Sequence, residues 1–353
     1  MKEIRVNRAQ ACLDAMSKSD WLPFLAYHHF AELVQHGNEP TAQRRAKLLS
    51  ELIQVGCIRP IAIKEGLGNI FDLFAWEVET VSNEPDLDLF GVRNRVKERA
   101  IKVQSGSDAL APYLAEWADF REIVQQQARR DREIIAVDRS NFLGIGKTPV
   151  GVLLSGQTRT PHEAASKLDA HRIQLARDIE ECGDQRIENP ESVANDFYSR
   201  VAKNAAGMYA PQATHPALQQ LVQAGIRPHE IKPELTLDEL GALAVHRQQL
   251  SIVNRTLGKN WDHLCDTAQP DKLPSVVIRS AIRNHGQDAR ERKGSEMNDE
   301  HLAALAAYVD IVFVDKRTKE KLRRACAKDP KVRDIIKAVH KVKPYSDALV
   351  PFK

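Results

Sequence analysis

The sequence predicts a helix-rich α/β protein whose core is built from the two ends of the chain. Two observations favour this fold class. The strand signals lie in 21–27 and 311–314, near the two termini. Between about residues 91 and 270, charged amphipathic helices dominate and are separated by Gly and Pro breakers. We therefore expect 1–90 and 271–353 to form a core with a short central parallel sheet, and 91–270 to form an all-helical insertion.

The N-terminal part of the core is predicted from short alternating signals. A helix over 8–19 precedes the apolar run WLPFLAY (21–27), which is typical of a buried strand. The next helix, HHFAELVQHG, should end at Gly37. A basic helix over 41–56 and an extended segment at 61–63 follow.

The remaining elements have clearer periodicity. Helices are predicted over 107–133, 160–182, 190–206, 236–258 and 275–294. The segment EMNDEHLAALAAYVDIVFVDK (296–316) predicts a helix that leads into a short apolar strand, and 316–328 predicts a basic helix.

Composition limits the class of protein. The chain has 353 residues, is 42% hydrophobic and carries a net charge of +3, which excludes a histone-like polycation. No apolar run approaches the roughly 20 residues of a membrane span. The five cysteines are scattered without a CxxC pair, which favours a reduced, cytoplasmic protein without a zinc site.

Acidic residues occupy three places in the C-terminal segment. Asp299 lies near a helix start, where a capping role is sufficient to explain it. Asp310 lies at the joint between helix and strand, where a turn role is the simpler interpretation. Asp315 closes the apolar strand, and the carboxyl end of a parallel strand is where α/β proteins usually build sites.

A fourth acid, Glu32, lies on the helix HHFAELVQH. His28, Glu32 and His36 have the spacing i, i+4, i+8, which on a helix places them on one face. One interpretation is a transition-metal site of histidine and glutamate. A second places Glu32 alone in an acidic cluster for a hard cation, with the histidines on an ordinary polar face.

Two segments together resemble the PIN-like nucleases. LPFLAYHHFAEL, followed by the helix TAQRRAKLLSEL, resembles the block in which an extended segment leads to a helix with an essential acid. LPSVVIRSAIRNHGQDARERKGSEMNDEHLAALAAYVDIVFVDKRT resembles the C-terminal block: an arginine-bearing helix, an acid at the next helix start, and a strand ending in aspartate before a basic residue. The two segments cover about a third of the chain.

The resemblance implies a PIN-like core and a metal-dependent endoribonuclease that hydrolyses phosphodiester bonds, with RNA a better expectation than DNA. It implies Mg or Mn as the cofactor, held by Glu32, Asp299 and Asp315, with Asp310 as a helper in catalysis. Hard divalent cations prefer such oxygen ligands. Family habit further suggests a toxin or defence effector.

The sequence departs from the family pattern. PIN-like domains begin with a strand that ends in aspartate, whereas this chain passes almost at once into a helix that contains Asp14. Either the start lies upstream or a ligand has been lost. Ala26 replaces a common serine, and Asn298 competes with Asp299 for the helix-start position. The alternative is therefore a catalytically incomplete PIN-like protein that binds RNA, or a protein partner through its helical insertion.

Basic residues surround both acid-bearing segments. Arg283, Lys316 and Arg317 are the predicted substrate contacts, because lysine and arginine supply the salt-dependent part of nucleic-acid affinity. Aromatic residues make up 6% of the chain and none alternate with these clusters, so the sequence predicts no surface for base stacking.

A third interpretation concerns the loop NFLGIGKT (141–148). It ends in GKT, as a nucleotide-binding P-loop does, but Asn141 stands where that motif needs glycine. A nucleotide-binding regulator is the weakest of the three hypotheses. A glycine-containing loop that enters a helix near Pro149 explains the same residues.

Overall fold

The protein is described by a computed structural model that covers residues 21–63, 65–138, 146–155, 160–206, 216–285 and 295–341. The helix predicted over 8–19, Asp14 and most of the GKT loop lie outside these residues. Within them the chain is helix-rich with small sheets, which confirms the coarse fold class. The PIN-like core stays a prediction.

Twenty regular elements follow one another along the described residues. In chain order they are α1 (Tyr27–Val34), α2 (Glu39–Ser50), β1 (Val55–Ile58), α3 (Ile70–Asn83), α4 (Leu89–Ala100), β2 (Ile101–Gln104), α5 (Gly106–Ala115), α6 (Trp117–Asp138), α7 (Val150–Leu154), α8 (Pro161–Cys182), α9 (Pro190–Ala206), α10 (Pro216–Gln223), α11 (Leu237–Leu257), α12 (Trp261–Thr267), α13 (Pro274–His285), α14 (Ser295–Ala304), β3 (Ile311–Val314), α15 (Lys316–Lys328), α16 (Pro330–Ile335) and β4 (Ala338–Lys341). Short 3₁₀ turns lie at Pro228–Glu230, Pro270–Lys272 and Leu305–Ala307.

The chain divides into two compact units. The first contains residues 1–127, 253–288 and 298–353, and the second contains 128–252 and 289–297. The predicted segment boundaries at 90/91 and 270/271 both fall inside the first unit, so α5, α12 and the first half of α6 belong with the chain ends.

Two small sheets lie in the first unit. β1 pairs with β2 in antiparallel fashion, and β3 pairs with β4 in parallel. The predicted strand over 21–27 is reduced to one parallel bridge between Phe24 and Gly56 of β1. Pro23 contributes to this because its nitrogen cannot donate to a sheet.

One core of the first unit packs α1 and α2 against β1, α5 and α6. Phe30 is completely buried and its ring stacks on that of Phe120, with the centroids 5.3 Å apart. Val34, Val55 and Leu110 fill the same cluster. This packing fixes α1, the helix that carries Glu32.

The second unit consists of helices in the described residues. α8 and α9 pack through Leu175, Ile179 and Tyr198. A separate polar group forms where Arg227 and Arg247 both contact Glu230. Burial alone would raise the pKa of Glu230, but hydrogen bonds from Arg227 and the ion pair with Arg247 lower it to about 2.

The predictions succeeded where a helix has a clear cap and one polar face. α8 begins at a capping box of Thr160 and Glu163, and α9 matches its predicted bounds. The helix predicted over 41–56 ends at Ser50, because the buried residues VGCI form β1 instead. Among the described residues, no helix is long and apolar enough to cross a membrane.

Candidate active site

Three of the predicted acids lie close together in the first unit. Glu32 is on α1, Asp299 is on α14, and Asp315 follows β3. Burial, together with the negative charges of Asp315 and Glu32, raises the pKa of Asp299 to about 6. Because such repulsion falls off with distance and solvent screening, Asp299 lies near both Asp315 and Glu32. We call Glu32, Asp299 and Asp315 the carboxylate cluster.

The position of Asp315 follows from the local sequence. β3 ends at Val314, and Asp315 is the N-cap of α15, where it accepts a 2.6 Å hydrogen bond from the Thr318 amide. Aspartate is among the best N-cap residues, and its negative charge is stabilised by the helix dipole. The residue remains exposed, so its carboxylate can serve both as a cap and as a ligand.

Asn298 is the residue that links Glu32 to its surroundings. Its Nδ2 donates to Glu32 Oε2 at 3.1 Å, and its side chain also hydrogen-bonds His28. Burial raises the pKa of Glu32, and the bond from Asn298 opposes that shift. From the sequence, either Asn298 or Asp299 could take the position of the acid at the helix start. In the structure both lie near Glu32.

Two histidines lie beside this group. The rings of His28 and His301 are 4.9 Å apart. Burial lowers the pKa of His28 to about 4 and that of His301 to about 3, so both rings are neutral near pH 7. Sequence reasoning missed His301, although its position three residues after Asn298 on a helix would have placed the two side chains on one face.

The prediction that His36 shares a helix face with His28 and Glu32 is wrong. α1 ends at Val34, so His36 lies beyond the helix, where its Nδ1 accepts from the Asn38 amide at 3.1 Å. His28 Nε2 accepts from the Ile70 amide at 3.3 Å. These contacts explain the two histidines without a shared metal.

Asp310 is not brought to the carboxylate cluster. It precedes β3 whereas Asp315 follows it, and five residues of extended chain separate the two by about 16 Å. Its carboxylate contacts Lys337 at 2.6 Å and Lys97 at 3.6 Å. The structure therefore places Asp310 in surface ion pairs, and its role as a catalytic helper is not carried into the site described here.

The predicted basic contacts differ in their environment. Lys316 is exposed and Arg317 is partly exposed in the first turn of α15, directly after Asp315. Lys321, one turn further on, lies close enough to lower the pKa of Asp299. Arg283 is about half exposed, and its Nε contacts the buried carboxylate of Glu300 at 3.2 Å.

The described end of the GKT loop lies in the second unit and does not form a phosphate cradle. The Asp238 carboxylate packs so tightly against Gly146 that a Cβ there would lie 2.1 Å from Asp238 Oδ1. The backbone is also engaged, because Gly146 and Thr148 accept from the amides of Asp238 and Leu237. A carboxylate beside the loop disfavours a bound phosphate.

The chemistry of the carboxylate cluster suits a hard divalent cation. Carboxylate oxygens are the ligands that Mg²⁺ and Mn²⁺ prefer, and a cation would relieve the repulsion that acts on Asp299. Within the residues that the structure describes, no three His, Cys, Asp or Glu side chains are arranged tightly enough to hold a metal together. Mg²⁺ usually keeps several of its waters, so a cation can contact some acids of such a cluster through water.

Comparisons with protein-family models, with curated proteins and with solved structures find no match to this chain.

Proposed function

We propose that this protein is a metal-dependent endoribonuclease with a PIN-like core. The observation that carries the proposal is that Asp299 lies within electrostatic range of both Glu32 and Asp315, which belong to two other elements. Residues 32 and 299 are far apart in sequence, and acids that repel one another are not brought together to stabilise a fold. Clustered acids with raised pKa values are typical of functional sites.

In this proposal Glu32, Asp299 and Asp315 hold Mg²⁺ or Mn²⁺. A bound cation of this kind supplies charge neutralisation at the phosphate and lowers the pKa of a bound water. The other roles belong to the chain itself. Asn298 holds Glu32 in place by its 3.1 Å hydrogen bond.

The cationic start of α15 supports a phosphate-bearing substrate. This helix has the sequence KRTKEKLRRACAK, with seven lysines or arginines and one glutamate. Its first residues follow Asp315 directly, so a phosphate backbone that contacts Lys316 and Arg317 lies beside the carboxylate cluster.

The test is cleavage of a mixed RNA pool in Mg²⁺, in Mn²⁺ and in EDTA. We expect metal-dependent cleavage by the wild type and a loss of at least about 100-fold in Glu32→Gln and Asp315→Asn. Both substitutions keep a hydrogen-bond acceptor, so Asp315→Asn still caps α15.

Asp310→Asn is the matched control, because it removes a carboxylate from the opposite end of the same strand. Equal activity in all three variants contradicts the proposal. So does metal-independent cleavage.

A second candidate function is RNA binding without cleavage. It is favoured by Asn298, whose amide donates a hydrogen bond to Glu32. A carboxylate at position 298 would strengthen a cation site, whereas the amide of Asn298 does not. In that case the wild type binds RNA but leaves it intact in both metals, and Asn298→Asp is the variant in which metal binding should increase.

A further inference from the structure

The joint between α14 and β3 connects two members of the carboxylate cluster. Asp299 lies on α14 and Asp315 follows β3, and the chain between these elements passes through the 3₁₀ turn Leu305–Ala307 and Tyr308. Residues 303–307 have the sequence AALAA and are all buried. Alanine side chains make few contacts, so apolar packing alone defines the direction of this joint only weakly.

Hydrogen bonds hold the joint on two sides. The Tyr308 hydroxyl donates to Glu77 Oε1 at 2.5 Å, and both side chains are completely or almost completely buried. On the other side, Arg93 Nε donates to the carbonyl of Ala307 at 2.5 Å. Glu77 is fixed in turn by the amide and the hydroxyl of Ser275. Side chains of α3, α4 and α13 therefore converge on this one turn.

The polar character of these contacts favours a role beyond stability. A buried carboxylate is costly, and apolar residues of similar volume often stabilise a core at least as well. Hydrogen bonds are directional, so a satisfied buried network specifies one arrangement of the elements that it joins. At this joint, the specified arrangement is the one that places Asp299 near Asp315.

The joint lies far from the carboxylate that it orients. Asp299 precedes Tyr308 by nine residues, which in helical and 3₁₀ chain span about 14 Å. A rotation of about 5° at the joint would therefore move Asp299 by about 1 Å. Mg²⁺ demands oxygen ligands at about 2.1 Å in near-octahedral geometry, so a displacement of this size weakens its binding.

We propose that the buried hydrogen bond between Tyr308 and Glu77 positions the carboxylate cluster for its cation. Both side chains are buried, so they act by fixing the direction of α14 relative to β3 and make no contact with cation or substrate. The inference rests on the proposed function, because it concerns the same cation site. Loss of this hydrogen bond should weaken cation binding by a protein that is still folded.

The test is Mn²⁺ binding, measured by electron paramagnetic resonance on the wild type and Tyr308→Phe well below the melting temperature of each. Circular dichroism checks that both proteins are folded. Tyr308→Phe keeps the ring and removes the hydroxyl, and we expect it to bind Mn²⁺ about fivefold more weakly. This is less than the roughly 10–100-fold loss that follows when a group touching a metal ligand is removed. A purely structural role would lower the melting temperature and leave the affinity of the folded protein unchanged.

Tyr113→Phe is the matched control. The Tyr113 hydroxyl accepts from the Leu67 amide and donates to the Leu67 carbonyl, both at 3.0 Å, so this variant also loses tyrosine hydrogen bonds of the first unit. These bonds do not reach the joint, and Tyr113→Phe should bind Mn²⁺ as the wild type does. Glu77→Gln keeps an oxygen that accepts from Tyr308, so it should bind Mn²⁺ more tightly than Tyr308→Phe.

A second variant decides the question if Tyr308→Phe does not fold. Arg93→Met removes the other hydrogen bond to the joint and should weaken Mn²⁺ binding by a similar factor. Wild-type affinity in folded Tyr308→Phe, or in Arg93→Met where that variant replaces it, overturns the inference. An equal loss of affinity in Tyr113→Phe overturns it as well.

The outcomes separate this inference from the proposed function. If Tyr308→Phe binds Mn²⁺ more weakly but the wild type leaves RNA intact, the nuclease proposal alone fails. If the wild type cleaves RNA but Tyr308→Phe binds Mn²⁺ with unchanged affinity, the positioning proposal alone fails. Absence of Mn²⁺ binding by the wild type contradicts both.

Discussion

Two acidic residues of the first unit, Asp299 and Glu77, have raised pKa values in opposite kinds of environment. Glu77 on α3 is completely buried, and burial raises its pKa to about 7. Its carboxylate accepts hydrogen bonds from the Ser275 amide at 2.8 Å, the Ser275 hydroxyl at 2.7 Å and the Tyr308 hydroxyl at 2.5 Å. Burial also raises the pKa of Asp299, but there the next contributions come from the acids Asp315 and Glu32.

The difference separates an acid that stabilises the fold from an acid that is held for a ligand. Glu77 accepts hydrogen bonds from several donors, and these bonds join α3 to the start of α13 and to the residues after α14. Asp299 instead lies near other acids, whose negative charges destabilise its ionised form in the absence of a cation. Substitutions at the two positions should therefore act in opposite directions.

The largest effect is expected for Glu77→Ala. It leaves the buried donors of Ser275 and Tyr308 without their acceptor, which we expect to lower the free energy of unfolding by about 3 kcal/mol. Urea unfolding followed by circular dichroism measures this. Glu77→Gln keeps the volume and one acceptor and should lose less; a loss below about 1 kcal/mol in Glu77→Ala contradicts the assignment.

The second prediction concerns Asp299→Asn and its dependence on pH. The pKa of Asp299 in the folded protein is about 6, above its ordinary value of 3.8, so the folded state resists ionisation of this group. The wild type should lose stability relative to Asp299→Asn as pH rises from 3.8 through about 6. Above that window, with screening by solvent, the variant should be more stable by about 1 kcal/mol.

Urea unfolding of both proteins in EDTA at the two ends of this pH window checks the prediction. If the difference in unfolding free energy between the wild type and Asp299→Asn is the same at both pH values, no repulsion acts on Asp299. A less stable variant above pH 6 would place Asp299 in the same class as Glu77.

A smaller effect is expected for Asn298→Asp, which replaces the donor to Glu32 with a further acid. Without metal, the added repulsion should lower the unfolding free energy by about 0.5–1 kcal/mol. With Mn²⁺, the melting temperature should rise more in the variant than in the wild type, because binding to the folded state stabilises it. A smaller metal-induced rise in the variant would exclude Asn298 from the cation environment.

The smallest effect is expected for Asp310→Asn, which removes exposed ion pairs with Lys337 and Lys97. Such pairs contribute at most about 1 kcal/mol, so the melting temperature should hardly change. A large loss of stability would show that Asp310 has a role beyond these contacts.

The sequence was informative about local structure and about acids, and less so about long-range assembly. β3, α8, α9 and α15 were predicted because each has a clear period or cap. α3 was missed although its sequence carries a start signal, in which Asn69 and Asp72 form a capping box at its N-terminus. β4 was missed because AVHK carries no strand signal, and only its pairing with β3 makes it extended.

The candidate site was likewise predicted only in part from the sequence. Glu32, Asp299 and Asp315 follow from position along a helix or strand, together with the resemblance to PIN-like nucleases. Asn298 as the donor to Glu32, and the contact between His28 and His301, depend on tertiary packing of α1 against α14.

The most direct test of the carboxylate cluster is Mn²⁺ binding to the purified protein, measured by electron paramagnetic resonance on the wild type, Glu32→Gln, Asp315→Asn and Asp310→Asn. We expect the wild type and Asp310→Asn to bind Mn²⁺ with the same affinity. We expect Glu32→Gln and Asp315→Asn each to bind Mn²⁺ at least about tenfold more weakly. Equal affinity in all four proteins, or no Mn²⁺ binding by the wild type, would contradict it.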